Sequence, residues 1–315
     1  MKTVRKAAAI KPGDTIGIIA LSAPCREDSL KAGIEKIESL GYRVKVALDP
    51  ARYYGSKKHM FASDSAVKRL KALKELLKDP EIRCILAVRG GYGALPLMNQ
   101  IDFKTFYDNP KLLVGYSDFS AVLLGAYAEG LITFHGPSLI SSFSQPAEEE
   151  GVTESIDALL NMVSGNSFNV FNGHTLRHLC GPSKCQGELV GANLTYLAFM
   201  QACRFNINFD NKILFFEEVG EKPYKLHRLL LQLKLSGCLN KLAGVVVGSL
   251  SGCNHPANLG PTAEEVITDI FCDLDIPVYL DAPFGHSNPN FTIPLGVKAT
   301  LSNNKLELNE SPVLD

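Results

Sequence analysis

The first 135 residues alternate short, largely apolar runs with longer segments of helical periodicity, and this alternation narrows the possible folds more than any other feature. The runs are TIGIIAL (15–21), RVKVAL (43–48), CILAV (84–88), LLVGY (112–116) and LITFH (131–135). Four to seven apolar residues bounded by turn formers are the pattern of strands buried on both faces. Between them, residues 29–40 and 63–77 read as helices. In the second, Val67, Leu70, Leu73 and Leu77 recur at helical spacing with lysines on the other face. Strand and helix in strict alternation imply right-handed crossovers and a parallel sheet covered on both sides. Residues 1–140 are therefore expected to form an α/β domain with a parallel sheet, Rossmann- or flavodoxin-like.

The pattern dissolves from about Gly136 to Pro182, so 141–180 reads as a connection holding a short helix near 156–163. Residues 181–315 then follow a different grammar. KCQGELVG, KILFFEEV, GVVVGSL, PVYLDAPFG and VKATLSNNKLEL read as strands, and 224–235 and 262–272 as helices. A C-terminal mixed β/α domain is expected, its last hairpin turning at Asn303 and Asn304, residues that tolerate positive φ. A chain of 315 residues, 46% hydrophobic, is long enough for two cores.

The charge balance, 32 basic against 33 acidic residues, gives no electrostatic reason to expect nucleic acid or an anionic membrane as partner. No apolar stretch approaches membrane-spanning length, and AAAI near the N-terminus is too short for a signal core, which points to a cytoplasmic protein. The eight cysteines are scattered, several inside apolar runs, and are expected to be free thiols. HTLRHLCGPSKC gathers His174, His178, Cys180 and Cys185, but at spacings that match no standard zinc pattern. It reads as a polar linker, and no metal is expected.

The chemistry concentrates at two strand ends. In LLVGYSDFSAVLLGAY (112–127) an apolar run stops at Gly115 and a helical pattern starts at Phe119, leaving Ser117 and Asp118 on the corner between. Ligands of parallel α/β sheets bind where strand gives way to helix. Ser117 there is either a helix cap or a nucleophile at an elbow, although Phe119 breaks the usual G-x-S-x-G. VRGGYGAL (88–95) ends the preceding strand with Gly90, Gly91 and Gly93, whose bare amides suit an oxyanion hole beside the serine. It lacks the lysine and hydroxyl of a phosphate loop. For a base, His135 in ITFHGPS and His286 in DAPFGHSNPNFTIPLG both sit at carboxyl strand ends, and the residues alone do not separate them. Glu217 and Glu218 close a strongly apolar strand. Strand alternation sends them to opposite faces, so one of them can orient the histidine.

Taken together, TIGIIALSAP, RGGYGAL, LVGYSDFSAV, TFHGPS, GELVGANLTYL, LFFEEVGEKPYKLHRLLLQL and PFGHSNPNFTIPLG, in that order, resemble the LD-carboxypeptidase family of serine peptidases, whose relatives include the microcin-immunity hydrolases. The resemblance spans essentially the whole chain. It implies a Ser-His-Glu triad of Ser117, His286 and Glu217 split between two domains. The oxyanion hole would come from the amides of Gly90, Gly91 and Asp118, with the Asp118 side chain bracing the turn. It also implies no cofactor, a murein tetrapeptide that loses its terminal D-alanine as substrate, and a homodimer. The chain departs from the family pattern at Glu218, where Asp is common, and near Pro96, where the family often has an arginine. Two other readings stand beside this one: hydrolysis of aminoacyl-adenylate analogues, and a two-lobed binding protein without chemistry.

Overall fold

The five apolar runs become the strands of one sheet because each is followed by a helix that covers it. The computed structural model describes residues 4–201, 203–255, 257 and 259–315. In chain order come β1 (Thr15–Ile19), α1 (Glu27–Ser39), β2 (Arg43–Val46), α2 (Ala66–Lys78), β3 (Ile82–Ala87), α3 (Lys104–Asp108), β4 (Leu112–Gly115), α4 (Ser120–Ala128) and β5 (Thr133–His135). Strands β1 to β5 pair in parallel in the order β5-β4-β3-β1-β2. This is the flavodoxin-like order, and its strand order reverses between β1 and β3, where such sheets open a crevice at their carboxyl ends.

The segment after His135 is more ordered than its composition suggests. Helix α5 (Val152–Val163) buries Val152, Ile156, Leu159, Met162 and Val163. The next strand, β6 (Arg177–Cys180), belongs to the second sheet. The remaining elements are β7 (Lys184–Asn193), α6 (Leu194–Gln201), β8 (Lys212–Val219), α7 (Pro223–Leu235), β9 (Gly244–Ser251), α8 (Ala263–Phe271), β10 (Val278–Leu280), β11 (Ile293–Leu295), β12 (Lys298–Ser302) and β13 (Lys305–Leu308). The second sheet runs β13-β12-β7-β8-β9-β10-β6, with β7 to β10 parallel and the outer strands antiparallel, the mixed sheet expected. Strand β10 is shorter than its sequence suggests, because Asp281 takes a positive φ of 62° and ends it. Strand β11 had no clear signal: it leaves the second sheet and pairs antiparallel with β5 in the first.

Helix α4 joins the two halves. It is apolar on every side, and Ser120 to Ala126 are all buried, because it packs on β4 and β5 and also on β7 and α6. Among the described residues no helix is long and apolar enough to cross a membrane.

The thiol expectation needs a correction. Cys180 and Cys272, 92 residues apart, form a disulfide, with Cα atoms 5.7 Å apart. Their spacing gave no hint of this, since β6 pairs with β10, the strand that follows Cys272, and the fold alone brings them together. Cys25, Cys84, Cys185, Cys203, Cys238 and Cys253 are free. The rest of HTLRHLCGPSKC disperses: His174 Nε2 lies 2.8 Å from Glu154 Oε1, and His178 Nε2 lies 3.3 Å from the Pro182 carbonyl. Among the described residues no group of three or more His, Cys, Asp or Glu side chains converges on a metal position.

Candidate active site at the carboxyl ends of two sheets

The chain after β4 turns within one residue. Tyr116 is extended, and Ser117 has φ of 59°, a left-handed conformation rare for a side-chain-bearing residue and costly by about 1–2 kcal/mol. A 3₁₀ turn, Ser117–Phe119, follows and leads into α4. The corner is thus a strained elbow that lifts the half-buried Ser117 side chain above the sheet.

The glycine loop after β3 is fitted around this serine. A Cβ on Gly90 would stand 2.5 Å from Ser117 Cβ, 2.6 Å from Ser117 Oγ and 3.3 Å from the Asp118 amide nitrogen. No other residue fits there. Gly91 and Gly93 have φ of 100° and 143°, so both need glycine on conformational grounds as well. The Gly90 carbonyl accepts from Ala23 N, while the Gly90 and Gly91 amides bond to nothing among the described residues.

A buried network holds the elbow and the loop together. The Asp118 carboxylate, fully buried, accepts from Ser22 Oγ at 2.6 Å, Ala94 N at 2.7 Å and Tyr196 Oη at 2.6 Å. It ties the loops after β1 and β3 to α6, the bracing part expected of it. Arg69, also buried, donates to the carbonyls of Asp64 (2.9 Å), Gly93 (2.7 Å) and Leu21. Sequence reasoning missed Arg69, Ser22 and Tyr196. Arg69 sits in a lysine-rich helix where a basic residue reads as a solvated face.

Across the cleft the second sheet contributes a carboxylate and a histidine. Glu217 Oε2 lies 2.6 Å from His286 Nδ1, and Glu217 is entirely buried. Gly285, at φ of 109°, permits this approach, because a Cβ there would stand 2.7 Å from Glu217 Cβ. The His286 loop is pinned on three sides: Gly285 N donates to Asn290 Oδ1, Asn290 N donates to Ser155 Oγ on α5, and Ser251 Oγ donates to the His286 carbonyl. Burial pushes the Glu217 carboxyl up, and the histidine counters it. Burial also opposes charge on His286, but the hydrogen bond and charge of Glu217 outweigh it and raise the imidazole above its usual value.

The neighbouring carboxylate is used differently. Glu218 accepts from Asn193 Nδ2, Val219 N, Thr195 N and Thr195 Oγ1, so its lone pairs are spent on β7 and the start of α6. The ladder between β8 and β9 shifts register between Phe216 and Glu218, a bulge of the kind that re-aims side chains beside active sites.

The two rival histidines part company here. His135 is fully buried, and its ring nitrogens have no partner among the described residues. Its ring packs edge-on against Tyr116, Phe215 and Phe284, and burial pulls its pKa down to about 3. The His286 ring lies 4.9 Å from the ring of Tyr116, the residue before Ser117. No hydrogen bond joins Ser117 Oγ to His286 among the described residues.

Comparison with known proteins gives a consistent family. The LD-carboxypeptidase N-terminal domain family matches residues 16–136, and the LD-carboxypeptidase C-terminal domain family matches residues 186–301. The chain is 30% identical to the microcin C7 self-immunity protein MccF of Escherichia coli, over 94% of this chain and 92% of that one. It is 27% identical to the murein tetrapeptide carboxypeptidase of Pseudomonas aeruginosa, over 92% and 94%. Among solved structures, MccF in its inactive mutant apo state superposes with a TM-score of 0.88 at 25% identity, covering 98% of this chain and 99% of that one. A muramoyltetrapeptide carboxypeptidase from Oxalobacter formigenes superposes with a TM-score of 0.80 at 26% identity, covering 95% and 100%.

Proposed function

The chain belongs to the LD-carboxypeptidase family and is a serine-type carboxypeptidase, and we propose that it removes the terminal D-alanine from murein tetrapeptide. The observation that carries the reading is the buried 2.6 Å contact between Glu217 and His286, set against Tyr116 beside the Ser117 elbow. Residues 1–140 supply the nucleophile, and residues 181–315 supply the acid and the base. No cofactor enters this chemistry.

His286 Nε2 takes the proton of Ser117 Oγ as the oxygen attacks the amide carbonyl, and Glu217 fixes the tautomer and stabilises the imidazolium. The oxyanion is received by the amides of Gly90, Gly91 and Asp118. His286 then gives its proton to the departing amine of D-alanine. Water, deprotonated by the same imidazole, releases the acyl group and restores Ser117. The same reading makes the enzyme a cytoplasmic homodimer that acts in peptidoglycan recycling, with the dimer checked by light scattering of the purified protein.

The likeness to MccF favours a second reading, hydrolysis of aminoacyl-adenylate analogues. A nucleobase would need an aromatic wall, and the chain has no tryptophan. Tyr92 in the glycine loop and Phe61, ring centroids 5.8 Å apart and both exposed, are the aromatic residues available beside Gly91.

Incubation with murein tetrapeptide, followed by mass spectrometry for D-alanine, decides between the readings. Release by the wild type that Ser117→Ala and His286→Ala both abolish supports the first. An intact tetrapeptide alongside a cleaved aminoacyl-adenylate analogue overturns it in favour of the second.

A further inference from the structure

A carboxypeptidase must recognise the free carboxylate of the residue it removes, and doing so takes a cation or several amides at the cleft. Most of the shielded cations are already spent. Arg69 serves three carbonyls, Lys111 Nζ donates to the carbonyls of Asp79 and Ile82, and Lys212 pairs with Glu188. Arg89 differs. It is half-buried, forms no ion pair among the described residues, and makes a single long hydrogen bond, from Nη1 to the Pro24 carbonyl at 3.4 Å. A guanidinium has five donors in a planar fork that matches a carboxylate.

Its position fits the same purpose. Arg89 directly precedes Gly90, the residue fitted against Ser117. Pro24, which it touches, follows β1, and the two loops are joined by the hydrogen bond from Ala23 N to the Gly90 carbonyl. The β1 and β3 loops flank the point where the strand order of the first sheet reverses, the crevice in which sheets of this kind seat their ligands. The charge is felt at Cys25 on one side and on the other at Tyr116, which packs on His286.

We propose that Arg89 is the residue that grips the terminal carboxylate of the substrate, and so selects an acid-terminated peptide over one whose end is blocked. This rests on the carboxypeptidase reading above. A substrate held there presents its last amide bond to Ser117. A blocked terminus leaves the fork facing a neutral group and loses one charged hydrogen-bonded pair.

The test compares kcat/KM for murein tetrapeptide and for the same peptide ending in D-alanine amide. The wild type is expected to favour the acid by about 10²-fold, the scale of a hydrogen-bonded charge pair. In Arg89→Met that ratio falls towards one, mainly through a rise in KM for the acid. Arg89→Gln gives the same collapse and serves if the methionine variant does not fold. A ratio that survives in either variant overturns the assignment, as does a wild type that cleaves acid and amide equally; in both cases the hydrolase reading is left standing. A wild type that cleaves neither peptide overturns the murein reading, and the assignment with it.

Discussion

His286 Nδ1 and Glu217 Oε2 stand 2.6 Å apart with the carboxylate fully buried, so each sets the protonation of the other. Burial opposes charge on His286, but Glu217 more than offsets this and raises its pKa above the ordinary 6.5. With His286 as the proposed base its neutral form is the active one, so activity should be lost as pH falls through that raised value. Glu217→Gln removes the negative partner while keeping the shape. The acid limb of kcat/KM should then move to lower pH, with kcat down by about 10²–10⁴-fold. A pH–rate profile of the variant whose acid limb stays where the wild type's lies would contradict the assigned coupling.

Gly90 tests the oxyanion hole independently of the triad. The methyl of Gly90→Ala would arrive 2.5 Å from Ser117 Cβ and must push the loop away. Removing one oxyanion donor typically costs about 10²–10³-fold in kcat, and a displaced loop removes at least one. Turnover should therefore collapse even at temperatures where urea denaturation shows the variant folded, its stability lowered by about 1–3 kcal/mol by the overpacking. Activity within a few-fold of wild type would place the hole elsewhere.

His135 should be dispensable for turnover. Its ring nitrogens bond to nothing among the described residues, so His135→Phe exchanges one buried ring for another and should leave kcat within a few-fold. The pH dependence of stability carries a clear sign. The unfolded chain binds a proton at His135 below about 6.5, whereas the native state resists it until about 3. Stability from this residue is present above 6.5 and is lost as pH falls from there towards 3. Denaturation midpoints of His135→Phe should fall less steeply over that window than those of the wild type. Equal slopes would show that the buried imidazole is not the proton acceptor.

The elbow and the glycine loop were legible because each is written in a few adjacent residues: an apolar run, a glycine, and a side chain on the turn. The partner of His286 was harder, since 69 residues separate it from Glu217 and only the pairing of β8 with β9 and of β9 with β10 within the second sheet brings them together. His135 and His286 looked alike for a definite reason. Both end apolar runs, and what separates them is β11, whose Ile293 pairs with His135 and closes β5 from the outside. That strand is the fragment Ile-Pro-Leu, three residues in a stretch rich in proline and glycine, with too little periodicity to read. Asp118 acts through Ser22, Ala94 and Tyr196, and Arg69 through the carbonyls of Leu21 and Gly93, partners far apart in the chain that no local pattern encodes.

The far end of helix α4 bears on how the two sheets dock against each other. Tyr127 Oη, Glu188 Oε1 and Lys212 Nζ lie within 2.5 Å of one another in a half-buried cluster joining α4 to β7 and β8. From Tyr127 back to Ser120 helix α4 rises about 10 Å, and the 3₁₀ turn back to Ser117 adds about 6 Å. From Lys212 to Glu217, β8 spans five residues, about 16–17 Å. Helix with its turn and strand therefore run similar lengths from a common anchor to Ser117 and Glu217, and the anchor is expected to hold the spacing between them. Tyr127→Phe removes the shared hydroxyl and keeps the ring. A shift of about 1 Å at the reacting atoms is enough to cost about 10²-fold, so kcat should fall about ten-fold or more with KM little changed. The rate at which a fluorophosphonate labels Ser117 should fall in parallel, since it depends on the same spacing and on no peptide contact. A variant that melts earlier but labels and turns over like the wild type would reduce the cluster to a packing contact.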